Sequence, residues 1–181
     1  VIYGRREEVR GAGWFGQYVG ERKMGEGGMG VVYRATHAML RRPAAIKLLL
    51  KERASEADLA RFEREVQLTS GLAHPNTISI FDYGRTAEGV FYYVMEYLDG
   101  LDLQSLVDRY GPVEPARVVH ILTQVTGALA EAHALGLIHR DIKPANIMLT
   151  ERPDEPDVVK GVDFGLVQRF GGNMAVDRER T

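Results

Sequence analysis

The sequence has no cysteine among its 181 residues, which excludes disulfide cross-links, thiolate catalysis and cysteine-ligated zinc. It also has little net charge, because 23 Lys and Arg nearly balance 25 Asp and Glu and leave −2. That balance gives no broad basic field, so we expect no nucleic-acid partner. No run of 18 apolar residues occurs, since the nearest candidate, residues 118–137, is interrupted by His120, Gln124 and Glu131. We therefore expect no membrane segment in this chain and a cytoplasmic location, with any membrane anchor lying elsewhere in a longer protein.

What the sequence does have is 45% hydrophobic residues, enough for one core or two small lobes. Residues 18–23, 31–36 and 44–49 predict three antiparallel strands, with a glycine turn at residues 25–30. Residues 77–83 and 90–95 predict two more strands after a helix. The first half is therefore predicted to be a five-stranded antiparallel lobe with one helix.

Helices are predicted at three places. Ser55 and Asp58 form a capping-box pattern, and apolar residues at helical spacing continue to Thr69, so this helix is expected to pack on the sheet. A short helix is predicted around Leu103. A longer one begins at Pro115 and reaches Gly136. The second half is therefore expected to be mainly helical.

A glycine pattern, G-x-G-x-x-G, occurs at Gly25, Gly27 and Gly30. A dinucleotide-binding turn requires a helix after such glycines, whereas Val31 and Val32 here predict a strand. The pattern alone is also compatible with an ordinary hairpin. The strand favours a phosphate lid, in which bare backbone lies over a nucleotide.

Lys47 lies within an otherwise apolar strand. The simpler interpretation is an edge-strand lysine in solvent. Alternatively, Glu65, which borders the apolar face of the predicted helix, pairs with it and presents the ammonium group to phosphates. The sequence around these two residues leaves both interpretations open.

Residues 138–149 include His139-Arg140-Asp141-Ile142-Lys143-Pro144 and Asn146, and Asp163-Phe164-Gly165 follows. Together with the glycine pattern and Lys47, these motifs resemble the signature set of the protein kinase family. The resemblance covers the chain from about Tyr18 to its end. The Asp-Ile-Lys-Pro segment is similar to the Ser/Thr class, and Gly-Gly-Met-Gly most resembles bacterial Ser/Thr kinases.

The resemblance implies an α+β, protein-kinase-like fold with residues 1–17 as an N-terminal extension. It places the N-lobe at 18–95, the hinge at 96–100 and an incomplete C-lobe at 101–181. The implied activity is transfer of the γ-phosphate of ATP to Ser or Thr hydroxyls of protein substrates. The implied cofactors are ATP and Mg²⁺.

The resemblance also assigns roles to single residues. Asp141 would act as the base, Lys143 would neutralise the transferring phosphate, and Lys47 would be held by Glu65. Asn146 and Asp163 would bind magnesium, and Met95 would be the gatekeeper. The nucleotide-contacting residues would be Met24, Gly25, Glu26, Gly27, Gly28, Met29, Gly30, Val31, Val32, Ala45, Lys47, Glu96, Leu98 and Met148.

The sequence departs from the family in two places. Asp163 follows Asp141 by 22 positions, a few more than expected, and the excess lies in the acidic segment 151–157, predicted to be an exposed hairpin insertion. The chain also ends at Thr181, within the expected activation segment, so apolar surface on residues 118–135 is expected to be exposed. Thr181 is a candidate phosphate acceptor that would pair with Arg140.

Two alternatives to an active protein kinase remain. One is a nucleotide-binding pseudokinase or scaffold, against which the intact catalytic positions argue. The other is a small-molecule kinase of the choline or aminoglycoside type, against which the His-Arg-Asp-Ile-Lys-Pro loop and three-glycine lid argue. The sequence does not indicate the oligomeric state.

Overall fold

A computed structural model describes residues 13–27, 30–49, 56–152, 155–161 and 168–169. The described residues divide into two compact units. The first contains those within Val1–Ala60 together with Ile80–Tyr97, and the second contains those within Arg61–Ser79 and Leu98–Thr181. Each unit is described by itself below.

The first unit is built on a six-stranded antiparallel sheet in the order β1-β2-β3-β4-β6-β5. The strands are β1 (Trp14–Phe15), β2 (Tyr18–Gly27), β3 (Gly30–His37), β4 (Pro43–Leu49), β5 (Ile80–Arg85) and β6 (Phe91–Glu96). The sixth strand, β1, was not predicted, because two residues are too few to show an alternating pattern. The predicted glycine turn is also shorter than expected, since β2 extends through Gly27.

One face of this sheet carries a buried apolar cluster. Its members come from every strand except β5: Phe15, Tyr18, Ala35, Ala44, Ile46, Tyr92 and Val94. The rings of Phe15 and Tyr92 meet edge to face, with centroids 5.4 Å apart. Because β1 and β6 are not neighbours in the sheet, this contact shows that the sheet curls around the cluster.

The second unit contains most of α1 (Glu56–Thr69), together with α2 (Leu103–Tyr110) and α3 (Pro115–Ala134). Ser55, half of the predicted capping box, lies outside the described residues. Asp102 is the N-cap of α2, where its carboxylate accepts hydrogen bonds from the Ser105 amide at 2.8 Å and the Ser105 hydroxyl at 2.5 Å. The predicted start of α3 at Pro115 is observed, while its end falls at Ala134, before Gly136 adopts a left-handed φ of 74°.

The second unit also contains β-structure, so the expectation of a mainly helical second half is incomplete. Strands β7 (Gly100–Asp102), β9 (Ile147–Arg152) and β10 (Glu155–Gly161) form an antiparallel sheet in the order β10-β9-β7. A second pair joins β8 (Leu137–Ile138) to β11 (Gln168–Arg169). The hairpin predicted at residues 151–157 is the β9–β10 connection, where Arg152 pairs with Glu155. Pro153 and Asp154 lie outside the described residues.

One predicted strand begins at the wrong residue. The sequence favours a strand from Thr77, but β5 begins at Ile80. Thr77 instead forms an isolated parallel bridge with Gly161, and the Ile78 amide donates to the Gly161 carbonyl at 3.1 Å. The backbone of residues 77–78 therefore pairs with β10 rather than with β6.

The core of the second unit lies between α3 and the three-stranded sheet. It is formed by side chains at helical spacing on α3 and alternating positions on the strands: Ile121, Val125, Ile147, Leu149 and Val159. On the opposite side of α3, Val119 and Leu122 are exposed, as expected from the sequence. No helix among the described residues is both long and apolar enough to cross a lipid bilayer.

Candidate active site

Three residues predicted to contact the nucleotide share one face of the first unit's sheet. Val32 on β3 lies directly opposite Lys47 on β4, and Ala45 is two residues before Lys47. Opposed residues, and residues two apart on one strand, point to the same side of a sheet. This side is opposite the cluster containing Ile46 and Val94. Lys47 is buried, so the solvent-exposed interpretation of this lysine is wrong.

The glycine segment closes the β2–β3 hairpin. Gly27 pairs with Gly30, and Gly25 lies opposite Val32 in the row that contains Lys47. Gly28 and Met29, between the paired glycines, lie outside the described residues. A Cβ atom added at Gly30 would lie 2.0 Å from the backbone oxygen of Leu48, so glycine is required there by the neighbouring strand.

The other members of this segment occupy the end of β2 and the start of β3. Met24 and Glu26 are exposed, and Glu26 forms an ion pair with Lys23. Val31 is buried and lies opposite Glu26. An irregularity in the β2–β3 register between Lys23 and Gly25 falls at Met24.

A second group of predicted residues lies in the loop between β8 and β9 of the second unit. His139 is buried, and its Nδ1 atom accepts a hydrogen bond from the Asp141 amide at 3.2 Å. Arg140 between them has a positive φ of 66°, which is uncommon for a residue other than glycine. Such strained backbone is concentrated at functional sites, where the surrounding structure holds it in place. Here the buried His139 side chain helps to hold the turn that carries Asp141.

Asp141, Lys143 and Asn146 meet in this loop. The Lys143 ammonium group lies 2.8 Å from Asp141 Oδ2. The Asn146 side-chain amide donates to the same carboxylate oxygen at 3.0 Å and to the Asp141 backbone oxygen at 2.9 Å. A short 3₁₀ turn, Pro144–Asn146, brings Asn146 back toward Asp141 through a bond from its amide to the Lys143 carbonyl. The structure thus brings together two residues that the family resemblance assigned to catalysis, Asp141 and Lys143, and one that it assigned to magnesium, Asn146.

The pKa of the Asp141 carboxyl is lowered from its usual value. The main cause is the hydrogen bond from Lys143, and the bond from Asn146 lowers it further, although partial desolvation opposes both. Asp141 is therefore ionised at neutral pH and well into the acid range. An ionised carboxylate can accept a hydrogen bond from a hydroxyl group and orient it.

The predicted magnesium ligands are partly described. Both side-chain bonds of Asn146 use its amide nitrogen, and neither uses the amide oxygen, an atom of the type that Mg²⁺ prefers. Asp163 lies outside the described residues. Its position in the sequence is two residues after Gly161, which pairs with Ile147, the residue that follows Asn146. The donor set is thus chemically suited to a hard cation.

The remaining predicted residues are found in separate places. Met148 lies on β9 between Asp102 on β7 and Lys160 on β10. Met95 lies opposite Ala45 in the first unit's sheet. Glu96 ends β6, whereas Leu98 belongs to the second unit. The side chain of Glu65 is not described, so its pairing with Lys47 stays a prediction. Thr181 also lies outside the described residues.

One contact of the predicted hinge was missed. The guanidinium group of Arg34 lies over the ring of Tyr97, 5.0 Å from its centroid, and 3.3 Å from a carboxylate oxygen of Glu21. Tyr97 lies between Glu96 and Leu98, the two residues predicted to meet the adenine edge. No sequence signal indicated this contact, since a lone arginine on a strand is usually solvated.

The chain is similar in sequence to known protein kinases. The sequence profile named protein kinase domain matches residues 18–179. The serine/threonine-protein kinase pkn3 of Myxococcus xanthus is 44% identical over 84% of this chain and 28% of its own length. The serine/threonine-protein kinase PrkC of Bacillus subtilis is 40% identical over 83% of this chain and 23% of its own length. The chain spans about a quarter of the length of these curated relatives.

Solved structures confirm the fold expected from the resemblance. The crystal structure of the Mycobacterium tuberculosis PknI kinase domain superposes with a TM-score of 0.71 at 36% identity. The match covers 83% of this chain and 59% of that one. The chain belongs to the protein kinase domain family, in its bacterial Ser/Thr branch.

Proposed function

We propose that the protein containing this chain transfers the γ-phosphate of ATP to Ser and Thr hydroxyls of protein substrates. The observation that carries the proposal is the cluster of Asp141, Lys143 and Asn146, with distances of 2.8 to 3.0 Å between their side chains. An oriented carboxylate, a nearby cation and an amide oxygen are the groups that phosphoryl transfer requires beside a nucleotide.

In the proposed reaction the acceptor oxygen forms a bond to the γ-phosphorus while the bond from that phosphorus to the β-phosphate oxygen breaks and ADP departs. Asp141 holds the hydroxyl in line and accepts its proton. Its lowered pKa makes it a weak base. A weak base is sufficient where the transition state is loose, because the protein then contributes mainly positioning and electrostatic stabilisation. Lys143 offsets charge on the transferring group.

The first unit would hold the nucleotide. Val32 and Ala45 offer an apolar surface to the adenine ring on the sheet face where Lys47 offers an ammonium group to the phosphates. Asn146 and Asp163 would hold Mg²⁺, which neutralises phosphate charge when bound. ATP and Mg²⁺ as cofactors, and proteins as substrates, are parts of this proposal.

The test is transfer of labelled γ-phosphate to a generic basic protein by the full-length protein. Asp141→Asn should lower kcat by about 100-fold or more, because the amide neither accepts the proton nor carries the charge. Asp108→Asn is a matched control on α2, where an exposed carboxylate accepts a bond from Gln104. It should leave kcat within about twofold, as expected for a surface substitution.

Three outcomes would contradict the proposal. Equal activity of Asp141→Asn and the unaltered protein would show that Asp141 takes no part in the reaction. Transfer to small alcohols but not to proteins would favour the small-molecule kinase. Magnesium-dependent ATP binding with no transfer to any acceptor would instead identify a nucleotide-binding pseudokinase.

A further inference from the structure

The side chain of Arg34, on β3, is held by groups from two other segments of the first unit. Its guanidinium group lies over the Tyr97 ring, 5.0 Å from the ring centroid. Its Nε atom is buried and lies 3.3 Å from a carboxylate oxygen of Glu21, on β2. The other oxygen of that carboxylate accepts a hydrogen bond from the Thr36 hydroxyl at 2.5 Å. The guanidinium group is therefore fixed in place over the ring.

Arg34 belongs to the sheet face that the proposed function assigns to the nucleotide. On β3 it is two residues after Val32, and it lies directly opposite Ala45 on β4. Ala45 in turn lies opposite Met95 on β6. Residues that oppose one another across strands, or are two apart on one strand, point to the same side of a sheet. Arg34, Ala45 and Met95 therefore form a row across three strands, next to the row that contains Val32 and Lys47.

The position of Arg34 does not suit a phosphate ligand. The glycine hairpin, predicted to cover the phosphates, closes at Gly30, whereas Arg34 lies on the far side of Val32 from that hairpin. Its charge is also engaged by the Glu21 carboxylate and by the negative face of the Tyr97 ring. The group on which Arg34 acts is therefore the ring of Tyr97.

Tyr97 lies where the backbone leaves the sheet. The ladder between β4 and β6 ends with the pair of Ala44 and Glu96, so Tyr97 is one residue beyond the last residue of β6. The stack on Arg34 extends the attachment of this segment to the sheet past the end of the ladder. Glu96 is a residue whose backbone is predicted to meet the adenine edge. The stack therefore restrains the main chain next to that backbone.

We propose that Arg34 is a positioning residue for adenine: its guanidinium group holds the Tyr97 ring against β3, and this fixes the backbone of Glu96 where the base meets it. The inference rests on the proposed function, which assigns the adenine ring to this face of the sheet. Arg34 acts through Tyr97 and not by contact with the base. It increases the fraction of molecules whose backbone at residues 96–97 is ready to bind, and the apparent affinity is proportional to that fraction.

The test compares Arg34→Met with Arg42→Met in the full-length protein. Arg42 makes a matched contact, because its guanidinium group lies over the Phe81 ring, 5.2 Å from the centroid, in the same unit. Each substitution removes one cation–π contact and keeps an unbranched side chain. Only the contact of Arg34 involves a residue next to Glu96. A general weakening of the first unit should therefore appear in both variants, and a loss confined to adenine only in Arg34→Met.

The primary measurements are the dissociation constants of adenosine and of inorganic tripolyphosphate, each obtained by displacement of a fluorescent ATP analogue. Arg34→Met should weaken adenosine binding roughly three- to tenfold, the range expected for the loss of one partly desolvated cation–π contact. Tripolyphosphate binding should stay within about twofold of its original value. Steady-state assays should show KM for ATP raised by the same factor as the adenosine constant and kcat unchanged. Arg42→Met should change none of these values.

Arg34→Lys is a second variant in case Arg34→Met fails to fold. The ammonium group keeps a positive charge near the ring but lacks the flat guanidinium surface, so adenosine binding should be weakened less than in Arg34→Met. Three results would overturn the inference while leaving the proposed function intact: unchanged adenosine binding in the folded Arg34 variants, equal weakening of adenosine and tripolyphosphate binding, or an equal effect of Arg42→Met. No ATP binding by the unaltered protein would overturn both.

Discussion

Replacement of Gly30 by alanine should destabilise the first unit severely, whereas the same replacement at Gly25 should not. The new Cβ at Gly30 would lie 2.0 Å from the Leu48 carbonyl oxygen and 3.0 Å from its carbon. Ordinary contact needs about 3.4 Å, so β3 must move away from β4 by about 1.4 Å. At Gly25 no described atom lies within 4 Å of an added Cβ.

The magnitude follows from the bonds that this movement breaks. Gly30 pairs with Leu49, and separating the strands there weakens about two ladder bonds, each contributing about 1 kcal/mol. With residual repulsion, Gly30→Ala should reduce the free energy of unfolding by about 2 to 4 kcal/mol. Thermal unfolding followed by circular dichroism should show Tm lowered by at least about 5 °C.

Gly25→Ala supplies the matched control for this measurement. It should change Tm by no more than about 1 °C and should weaken ATP binding if the bare backbone of β2 approaches phosphates. Equal Tm values for the two alanine variants would refute the argument, because they would show that the β3–β4 spacing is not fixed by the contact between Gly30 and Leu48.

Three further predictions concern charged side chains of the second unit. Lys143→Met should raise the pKa of Asp141, because the hydrogen bond from Lys143 is the main cause of its lowering. NMR titration of the Asp141 carboxyl should show a higher midpoint in the variant. An unchanged midpoint would contradict the role of this hydrogen bond. Arg117 on α3 donates two hydrogen bonds of 2.7 Å to the Asp157 carboxylate on β10, and Arg117→Met should lower the free energy of unfolding at pH 7 by about 0.5 to 1 kcal/mol. Arg117 holds the pKa of Asp157 below its usual value of 3.8, so this contribution is fully present above that pH and should be lost as the pH falls through the lowered pKa. Urea unfolding at pH 7 and over the acid range checks this, and a difference that persists at the lowest pH would exclude the ion pair as its source. Asp102→Ala should cost about 1 kcal/mol by removing the N-cap of α2, whereas Asp102→Asn, which keeps an acceptor, should cost less; equal losses in urea unfolding would argue against the cap.

The closeness of three predicted site residues in the β8–β9 loop could be predicted from the sequence because it is local. Asp141, Lys143 and Asn146 lie within six residues, so a short turn is sufficient to bring them together. The strand positions of Val32, Ala45 and Lys47 were also predictable, since a period of two assigns them to one face once the strands are found. Their roles toward a nucleotide came from the family resemblance rather than from this periodicity.

The contacts that the sequence did not predict are non-local and depend on backbone groups. Gln124 was interpreted only as a polar interruption in an apolar segment, and no sequence pattern assigned a partner to Asn76. Both side chains bond to the backbone of Val159, 35 and 83 residues away. A backbone carbonyl or amide is the same in every residue, so no side-chain pattern indicates which one a glutamine will meet. The same reason explains why Thr77 was assigned to the wrong strand.

In the β9–β10 hairpin, the tip lies far from the base. Arg152 pairs with Glu155 near the tip and Ile147 with Gly161 at the base, about 17 Å away at the usual rise per residue. Between them the register shifts, and Arg117 anchors Asp157 to α3. Extra residues inserted at the tip would therefore not displace the base of the hairpin. This hairpin is a suitable place to insert an epitope or a fluorescent reporter into the folded domain. It is also a place where the chain can gain or lose length during evolution at little cost to the proposed metal ligands.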